Sequence, residues 1–550
     1  MQSPSLYGYS RSCICYTLLL VLLSFTTTAQ DVLWEKSYGG SSGDYLYDAQ
    51  PTPDYGFILV GSSLSKRSGN KTENNVYDLD YWIWKMDENG DLEWQKNYGG
   101  QGSDRLMSVH CTTEGGFILA GTSDSPQGEF KKEDSRGQED LWVIRLKPDG
   151  SEQWQRTIGG NSTELVNQVI QTKDGGFILA GASSSKPRYT TSGNTSVPRG
   201  EKKAPHYGHL DYWVVKLDTG GEVEWEKTYG GIYKDVAESI LQTEDEGYLI
   251  GGYSNSPQSE TKSENSKGSG GDYWLLKLDK FGTIEWERTL GGDGDEHLYV
   301  LQAAKEGGYI AGGSSSSGTN GIKTKGNGKG IDFWVLKLNE YGEIDWQQTY
   351  DFGKTDVVTS IVENEDGTLL IGGYAQSEQP KTIDKQRSDK EGINDYVALK
   401  TDEEGEEKWR KVIGSSGRDV LRKMVETRDG GYVLAGTSDG RPSRDKNTGK
   451  GQADFWVVKL RDKDKEEDVG NRSLEAYPNP ASAFTNVLVN HDFEEGSATV
   501  YDIGGKQLQH FPITSRTVPI NISNYPVGVY IIKIATDVKT ESVKILKTDK

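Results

Sequence analysis

The phrase "GGFILAG" and its variants stand seven times in this chain, and no other feature constrains the fold as strongly. The copies read "PDYGFILVGSSLS", "TEGGFILAGTSDS", "KDGGFILAGASSS", "EDEGYLIGGYSNS", "KEGGYIAGGSSSS", "EDGTLLIGGYAQS" and "RDGGYVLAGTSDG". They recur about every sixty residues, the range of blade-type repeats rather than of shorter solenoid units. Three further phrases accompany each copy in fixed order: an acid-led one such as "DVAESILQT", one like "DYWVVKLD" and one like "EIDWQQTYG". Each is the length of a strand and rich in the β-branched and aromatic residues that suit a pleated, half-buried surface. "DGG" between the first and second phrases, and "DENG" or "DTGG" between the third and fourth, are tight Gly-bearing hairpin turns. One unit is therefore a four-stranded up-and-down meander.

A meander that is apolar on both faces cannot stand alone, so successive units must stack face to face around a ring. The expected fold is all-β, a seven-bladed β-propeller over residues 31–461. The repeat opens on a fourth-type strand, "VLWEKSYGG", and closes on a third-type strand, "DFWVVKL". The strand containing Trp34 is therefore expected to complete blade seven and leave no loose edge. Seven of the fourteen Trp fall in fourth strands and six in third strands, with Trp84 outside that register, and they read as core. At blade six the third-strand Trp is replaced by Val397, which predicts a less filled wedge there.

The units resemble the bacterial β-propeller repeat family, whose copies pair "D-x-W-V-x-K-L-D" with "G-x-x-x-W-x-x-x-Y-G-G". That resemblance implies an architecture and leaves activity open, since propellers host binding, scaffolding and catalysis alike.

Residues 1–29 read as a signal peptide: Arg11 precedes the apolar core "YTLLLVLLSF", too short to span a bilayer, and cleavage is expected between Ala29 and Gln30. Its removal takes Cys13 and Cys15 and leaves Cys111 alone, so stability has to come from burial and strand pairing rather than an internal disulfide. Cys111 is expected to be an inert core thiol.

After "RDKDKEED" the repeat ends; residues 462–473 read as a charged, solvated linker. Residues 474–550 alternate apolar and polar positions between turns, as in a small antiparallel β-sandwich of Ig-like type. Their ordered motifs "YPNPA", "VYDIGGK", "GVYIIKI" and "VKILK" closely resemble the type A C-terminal sorting domain of the type IX secretion system. The resemblance implies recognition by that secretion machinery and a secreted or outer-surface location in a Gram-negative bacterium. No transmembrane span is expected in the mature chain.

A net charge of −21 repels phosphate backbones, so nucleic acid is not an expected partner. "GTSDG" around Ser438 matches a nucleophile elbow literally, but it ends a repeated strand where an elbow needs a strand-to-helix turn. Six His lie without metal-ligand spacing. No catalytic, cofactor-binding or metal-binding residue is assigned.

Two sets of acids recur. Asp44, Asp104, Glu164, Asp235, Glu296, Asp356 and Asp419 begin the first strands, and Asp80, Asp140, Asp211, Asp272, Asp332, Asp395 and Asp454 begin the third. Their sevenfold repetition reads as structural, carboxylates accepting backbone N–H groups of adjoining loops, with a cation near the axis as the alternative. The third-strand cations Lys85, Arg145, Lys216, Lys277, Lys337, Lys400 and Lys459 lie about 16 Å from the acid starting their strand, too far for direct pairs.

The loops between second and third strands are long and dissimilar, and they carry a net charge of +8 against −30 for the rest of the chain outside the signal segment. Long loops on a rigid scaffold commonly bind ligands. The longest, in blade three, combines Lys186, Arg188, Arg199, Lys202 and Lys203 with Tyr189 and Tyr207. These seven are the expected contacts for an anionic polysaccharide. The expected function is a cofactor-free, non-enzymatic binding or adhesion module with an extracellular glycan as partner. A polysaccharide-degrading enzyme and a purely structural surface component stay open.

Overall fold

The four phrases of each repeat form four strands because every connection within a unit is a tight turn or an excursion back to the same sheet. In the computed structural model the described residues are 30–187, 201–326, 330–376, 393–427, 430–463 and 474–548, apart from 478, 482, 483 and 492. From the axis outward, blade one runs Asp44–Pro51, Phe57–Ser63, Asp80–Met86 and Leu92–Tyr98, all antiparallel. Five further sheets repeat that order through Glu407–Ile413. The seventh consists of Asp419–Glu426, Tyr432–Ser438 and Asp454–Leu460, with Val32–Tyr38 as its outer strand. First strands pack against those of both neighbouring blades, and the circle closes between Asp419–Glu426 and Asp44–Pro51. Seven blades thus surround one axis.

The closing strand is well tied. Trp34 pairs with Lys459 and Ser37 with Trp456 in the ladder, while Glu35 Oε2 accepts the Trp456 indole N–H at 2.8 Å. Tyr38 Oη donates to the carbonyl of Gly90 at 2.6 Å. Gly90 has a φ of +79°, and a Cβ there would lie 2.8 Å from that hydroxyl. The turn therefore needs glycine both for its backbone and for the close approach of blade seven. Gln30, just before this strand, is buried; its carbonyl accepts Lys411 Nζ at 2.7 Å and its side chain accepts the Lys463 N–H at 2.8 Å.

Blade interfaces hold the core. Trp82, Trp142, Trp213, Trp274, Trp334 and Trp456 are fully buried. The aromatic next to the third-strand acid packs on the Trp of the following blade: Tyr81 on Trp142 at 4.8 Å, Tyr212 on Trp274 at 4.7 Å, Tyr273 on Trp334 at 4.8 Å and Tyr396 on Trp456 at 4.9 Å between ring centroids. Those four hydroxyls donate to the carbonyl of the same Trp. Where Val397 replaces Trp, the wedge is filled from a different direction. Phe352, standing where six linkers carry Gly or Ser, lies edge-on to Phe333 at 5.1 Å, and Val397 is fully buried.

At the turn end of the strands the third-strand cations meet hairpin acids. Lys85 Nζ is 3.1 Å from Asp54 and 2.8 Å from Glu93; Lys216 pairs with Asp174 and Glu224, Lys277 with Asp245 and Glu285. The charged segment after the repeat begins differently from its sequence reading. Asp462, expected in the solvated linker, is buried, accepts Lys400 Nζ at 2.8 Å and accepts the Tyr432 hydroxyl at 2.9 Å. A buried Lys400 without that carboxylate would be an uncompensated charge, so Asp462 belongs to the propeller. Cys111 is half-buried, and burial pushes its thiol up to about 12, consistent with an unreactive side chain.

The C-terminal residues form two sheets. One contains Glu475–Tyr477, Phe484–Leu488 and Thr517–Asn521, the other Gln507–Ile513, Gly496–Asp502, Gly528–Thr536 and Thr540–Lys547. Val487, Val518 and Ile520 of the first pack with Val500, Ile532 and Ile545 of the second around a separate core. Among the described residues no helix is long and apolar enough to cross a membrane.

Candidate functional site

On the face where first and third strands begin, all fourteen repeated acids are buried. Linker amides reach one oxygen of each first-strand acid: Gly40 N–H donates to Asp44 at 2.7 Å, Gly100 to Asp104 at 2.8 Å, Gly160 to Glu164 at 2.7 Å and Gly231 to Asp235 at 2.8 Å. Loop amides reach most of the third-strand set, as from Val76 to Asp80 at 2.6 Å, Tyr207 to Asp211 at 2.8 Å and Lys450 to Asp454 at 2.9 Å. In these blades the rings tie linkers and loops to the strand starts, as their repetition suggests.

The sequence did not disclose their counter-ions. Lys71, Lys131, Lys202, Lys262, Lys323 and Lys446, one from the second-to-third loop of each of six blades, are at most 2% exposed. Each lies near the acids of its own blade; Lys71, for example, feels Asp44 and Asp80 and donates to Ser63, Asn75 and Asn97. Lys202 is therefore corrected as a ligand contact: its ammonium donates to the carbonyls of Ser185, Ala204 and Pro205 and never reaches the surface. Six of the cations counted in the loops' +8 are thereby withdrawn from the surface. Of the other expected contacts, Lys186 and Lys203 are exposed and Tyr207 is half-buried. Arg188, Tyr189 and Arg199 lie outside the described residues, as does Ala29.

Burial raises Asp80, Asp272, Asp332 and Asp419 to about 6 and Asp356 to about 7. Between about pH 4 and 7 the folded chain thus retains protons that the unfolded chain releases, and stability rises as pH falls through that window. His110, which burial lowers to about 4, acts in the opposite sense, as do His206 and His491, which burial also lowers, but these are three groups against the five acids. Lower net negative charge adds to the acids' effect. In chelator, the melting temperature is expected to be higher at pH 5 than at pH 7.5. The reverse order would refute the protonation of this ring.

Nearer the axis, a second repeated device breaks the symmetry. In every first strand the pairing slips by one residue, between Leu46 and Asp48 in blade one, Ala237 and Ser239 in blade four, Leu298 and Val300 in blade five, and Leu421 and Lys423 in blade seven. Blades two, three and six slip at the same place. The bulged residues are Tyr47, Met107, Asn167, Glu238, Tyr299, Thr359 and Arg422, all half-buried on the innermost strands. A β-bulge re-aims its side chain, and here Asn167 Nδ2 donates to the Ala237 carbonyl at 2.9 Å and Thr359 Oγ1 to the Leu421 carbonyl at 3.0 Å, from one innermost strand to the next. The neighbouring position locks them in place by bonding to the next blade: Asp48 accepts Val109 N–H at 3.0 Å, Gln168 accepts Ile240 N–H at 2.7 Å and Ser360 accepts Met424 N–H at 3.0 Å.

These side chains converge with the strand mouth. His297 stacks on Tyr299 at 4.6 Å and 7° and on Tyr253 at 4.7 Å, and its Nε2 is 3.2 Å from Glu238 Oε1. Across the ring, the Arg422 guanidinium lies 5.5 Å from the Tyr47 ring centroid. Burial holds the Tyr299 hydroxyl well above its ordinary range, with Tyr374 and Glu238 adding to the shift and Arg422 opposing it. Burial, helped by Asp295, pushes Tyr253 up to about 12. A wall of stacked aromatic rings therefore stands beside one carboxylate, with one guanidinium near enough to act on Tyr299. Sequence reasoning passed over this cluster, yet a trace was present. The fourth position of the acid-led phrase holds six residue types in seven copies, while its neighbours on either side are small or apolar in most.

Residues 475–548 match the secretion system C-terminal sorting domain family. The chain is also 24% identical over 241 residues to the regulatory protein FlaEY of Caulobacter vibrioides, which covers 40% of this chain and 24% of that protein. It thus spans about a quarter of that relative's length. Among solved structures, a gluconolactonase from Xanthomonas campestris is 10% identical, covering 65% of this chain and 90% of that one with a TM-score of 0.30. A glucose dehydrogenase is 12% identical, covering 78% and 99% with a TM-score of 0.32. The sorting domain makes the chain a cargo of the type IX system and locates it outside the cell or on its surface.

Proposed function

We propose that the exported chain is a non-catalytic binding propeller whose ligand, an extracellular polysaccharide, docks over the axial mouth. The observation that carries this reading is the set of seven bulges, which hold chemically different side chains on an otherwise sevenfold frame. Sugar rings present apolar faces edged by hydroxyls; the Tyr253, His297 and Tyr299 stack supplies a matching surface, with Glu238 and Arg422 as polar partners. Arg422 and the exposed Lys186 and Lys203 favour a polymer carrying carboxylate or sulfate groups.

The test is a binding panel of neutral, uronate-bearing and sulfated polysaccharides against the full chain. Tyr299→Ala and Arg422→Ala are each expected to weaken binding about tenfold while the melting temperature moves by only a few degrees. Affinity for the anionic members should fall as salt rises. Full affinity in both variants would remove the axial mouth from the ligand site. One contact favours a second reading: a carboxylate 3.2 Å from an imidazole is the arrangement of an oriented general base. Release of reducing ends or unsaturated uronates, abolished by His297→Gln, would replace binding with polysaccharide cleavage.

A further inference from the structure

The junction between blades five and six departs from the others at positions that lie together. Gly39, Gly99, Gly159, Gly230, Gly291 and Gly414 lead the linkers after the outer strands, but Asp351 stands at the sixth junction. A side chain at that position projects between two acids. At Gly291, an added Cβ would lie 1.9 Å from Asp272 Oδ1 and 2.7 Å from Glu296 Oε2. Six blades also face the first-strand acid with a serine, Ser63, Ser123, Ser183, Ser254, Ser315 or Ser438, where blade six has Ala375. One substitution adds a carboxylate, and the other removes a hydroxyl donor.

We propose that Asp332, Asp351 and Asp356 form a binding site for one hard divalent cation, calcium by the chemistry of its ligands. One oxygen from each of the three carboxylates lies within 4.8 Å of the others, and among the described residues no other group of three ligating side chains comes as close. Asp332 is 1% exposed, and among the described residues neither of its oxygens has a hydrogen-bond donor. Asp356 is fully buried; one oxygen takes the Phe352 and Gly353 N–H groups and the other has no donor among the described residues. A buried carboxylate with no donor is strongly disfavoured unless a cation meets it. Lys323 is the cation acting on Asp332, but it donates to Ser315 Oγ at 2.8 Å and to the Ser317 carbonyl at 3.0 Å. Exposed Asp351 opens the third side to solvent, so water can complete the six to eight oxygen ligands that calcium takes. Magnesium, which demands near-ideal octahedral geometry and keeps its waters, fits three converging carboxylates less well.

The experiment uses the full chain, dialysed against EDTA and titrated with calcium chloride by calorimetry, beside Asp351→Gly and Asp332→Asn. Wild type is expected to bind one calcium per chain with a Kd of about 10⁻⁵ to 10⁻³ M and to melt at a higher temperature with calcium than in EDTA. Asp351→Gly restores the glycine of the other junctions, so it should melt in EDTA no lower than wild type. Both variants should bind at least tenfold more weakly and lose the calcium-dependent melting shift. Undiminished uptake by Asp351→Gly, or no calcium-dependent shift in wild type up to about 10 mM, overturns the assignment.

Discussion

Deleting residues 31–40 is expected to lower the melting temperature by more than about 10 °C and to make the protein self-associate. The deletion removes the whole outer strand of blade seven, with the ladder from Val32 to Tyr38 and the hydrogen bonds from Tyr38 to Gly90 and from Trp456 to Glu35. Tyr38 is buried against Trp84 at 4.5 Å between ring centroids, and Trp34 packs on the same cluster. Losing one buried aromatic and one half-buried one costs on the order of 5 kcal/mol, before counting backbone groups left on a bare edge. The remaining edge, Asp454–Leu460, is buried throughout in the intact protein and carries the apolar run Phe455, Trp456, Val457 and Val458. Such a strand is a template for another chain. Differential scanning calorimetry and size-exclusion chromatography read the two effects. A Trp34→Ala, Tyr38→Ala double variant should show the same drop in weaker form. A truncated chain that melts like the full one would mean that the ring does not close through this strand.

How much of this was legible in the sequence depends on how local the signal is. Strand alternation and turn chemistry are local, so "DGG", "DENG" and the repeated Trp positions were sufficient for seven four-stranded sheets and for the role of Trp34. Lys202 was misplaced because a lysine among Ser, Gly and Pro reads as solvated. Its burial follows only when Ser185, Ala204 and Pro205 turn three carbonyls onto it. The bulges are invisible for another reason: a one-residue slip exists only relative to a partner strand, and without it Glu238, Tyr299 and Arg422 look like ordinary members of an alternating pattern. At Val397 a missing Trp predicted a gap. The compensation comes from Phe352, more than forty positions earlier in the chain and supplied by a linker rather than a strand. Asp462 shows the same limit, since composition assigned it to a linker while Lys400 and Tyr432 hold it in the ring.

Removing residues 474–550 is expected to leave the propeller folded but retained in the periplasm, with almost complete loss from the cell surface and medium. The tail carries the sorting-domain match and owns its core, in which Val487, Val500, Ile520, Ile532 and Ile545 pack on one another rather than on a blade. Among the described residues, its polar contacts with the propeller gather at the hairpin turns of blade one. Asn486 Nδ2 donates to Asp54 at 3.0 Å, Tyr55 Oη donates to Glu475 at 2.8 Å, and Arg516 lies 3.7 Å from Glu88. None of these holds a blade together, because Asp54 keeps its ion pair with Lys85 at 3.1 Å after the tail is gone. The exposed contacts among them are individually worth no more than about 1 kcal/mol. The truncated protein, recovered from periplasmic extract, should therefore melt within a few degrees of the full chain. Cell fractionation and surface proteolysis measure the location, and calorimetry measures the fold. Normal surface delivery of the truncated chain would refute the sorting role. Retention together with a collapsed melting transition would instead show that the tail is part of the propeller's structure.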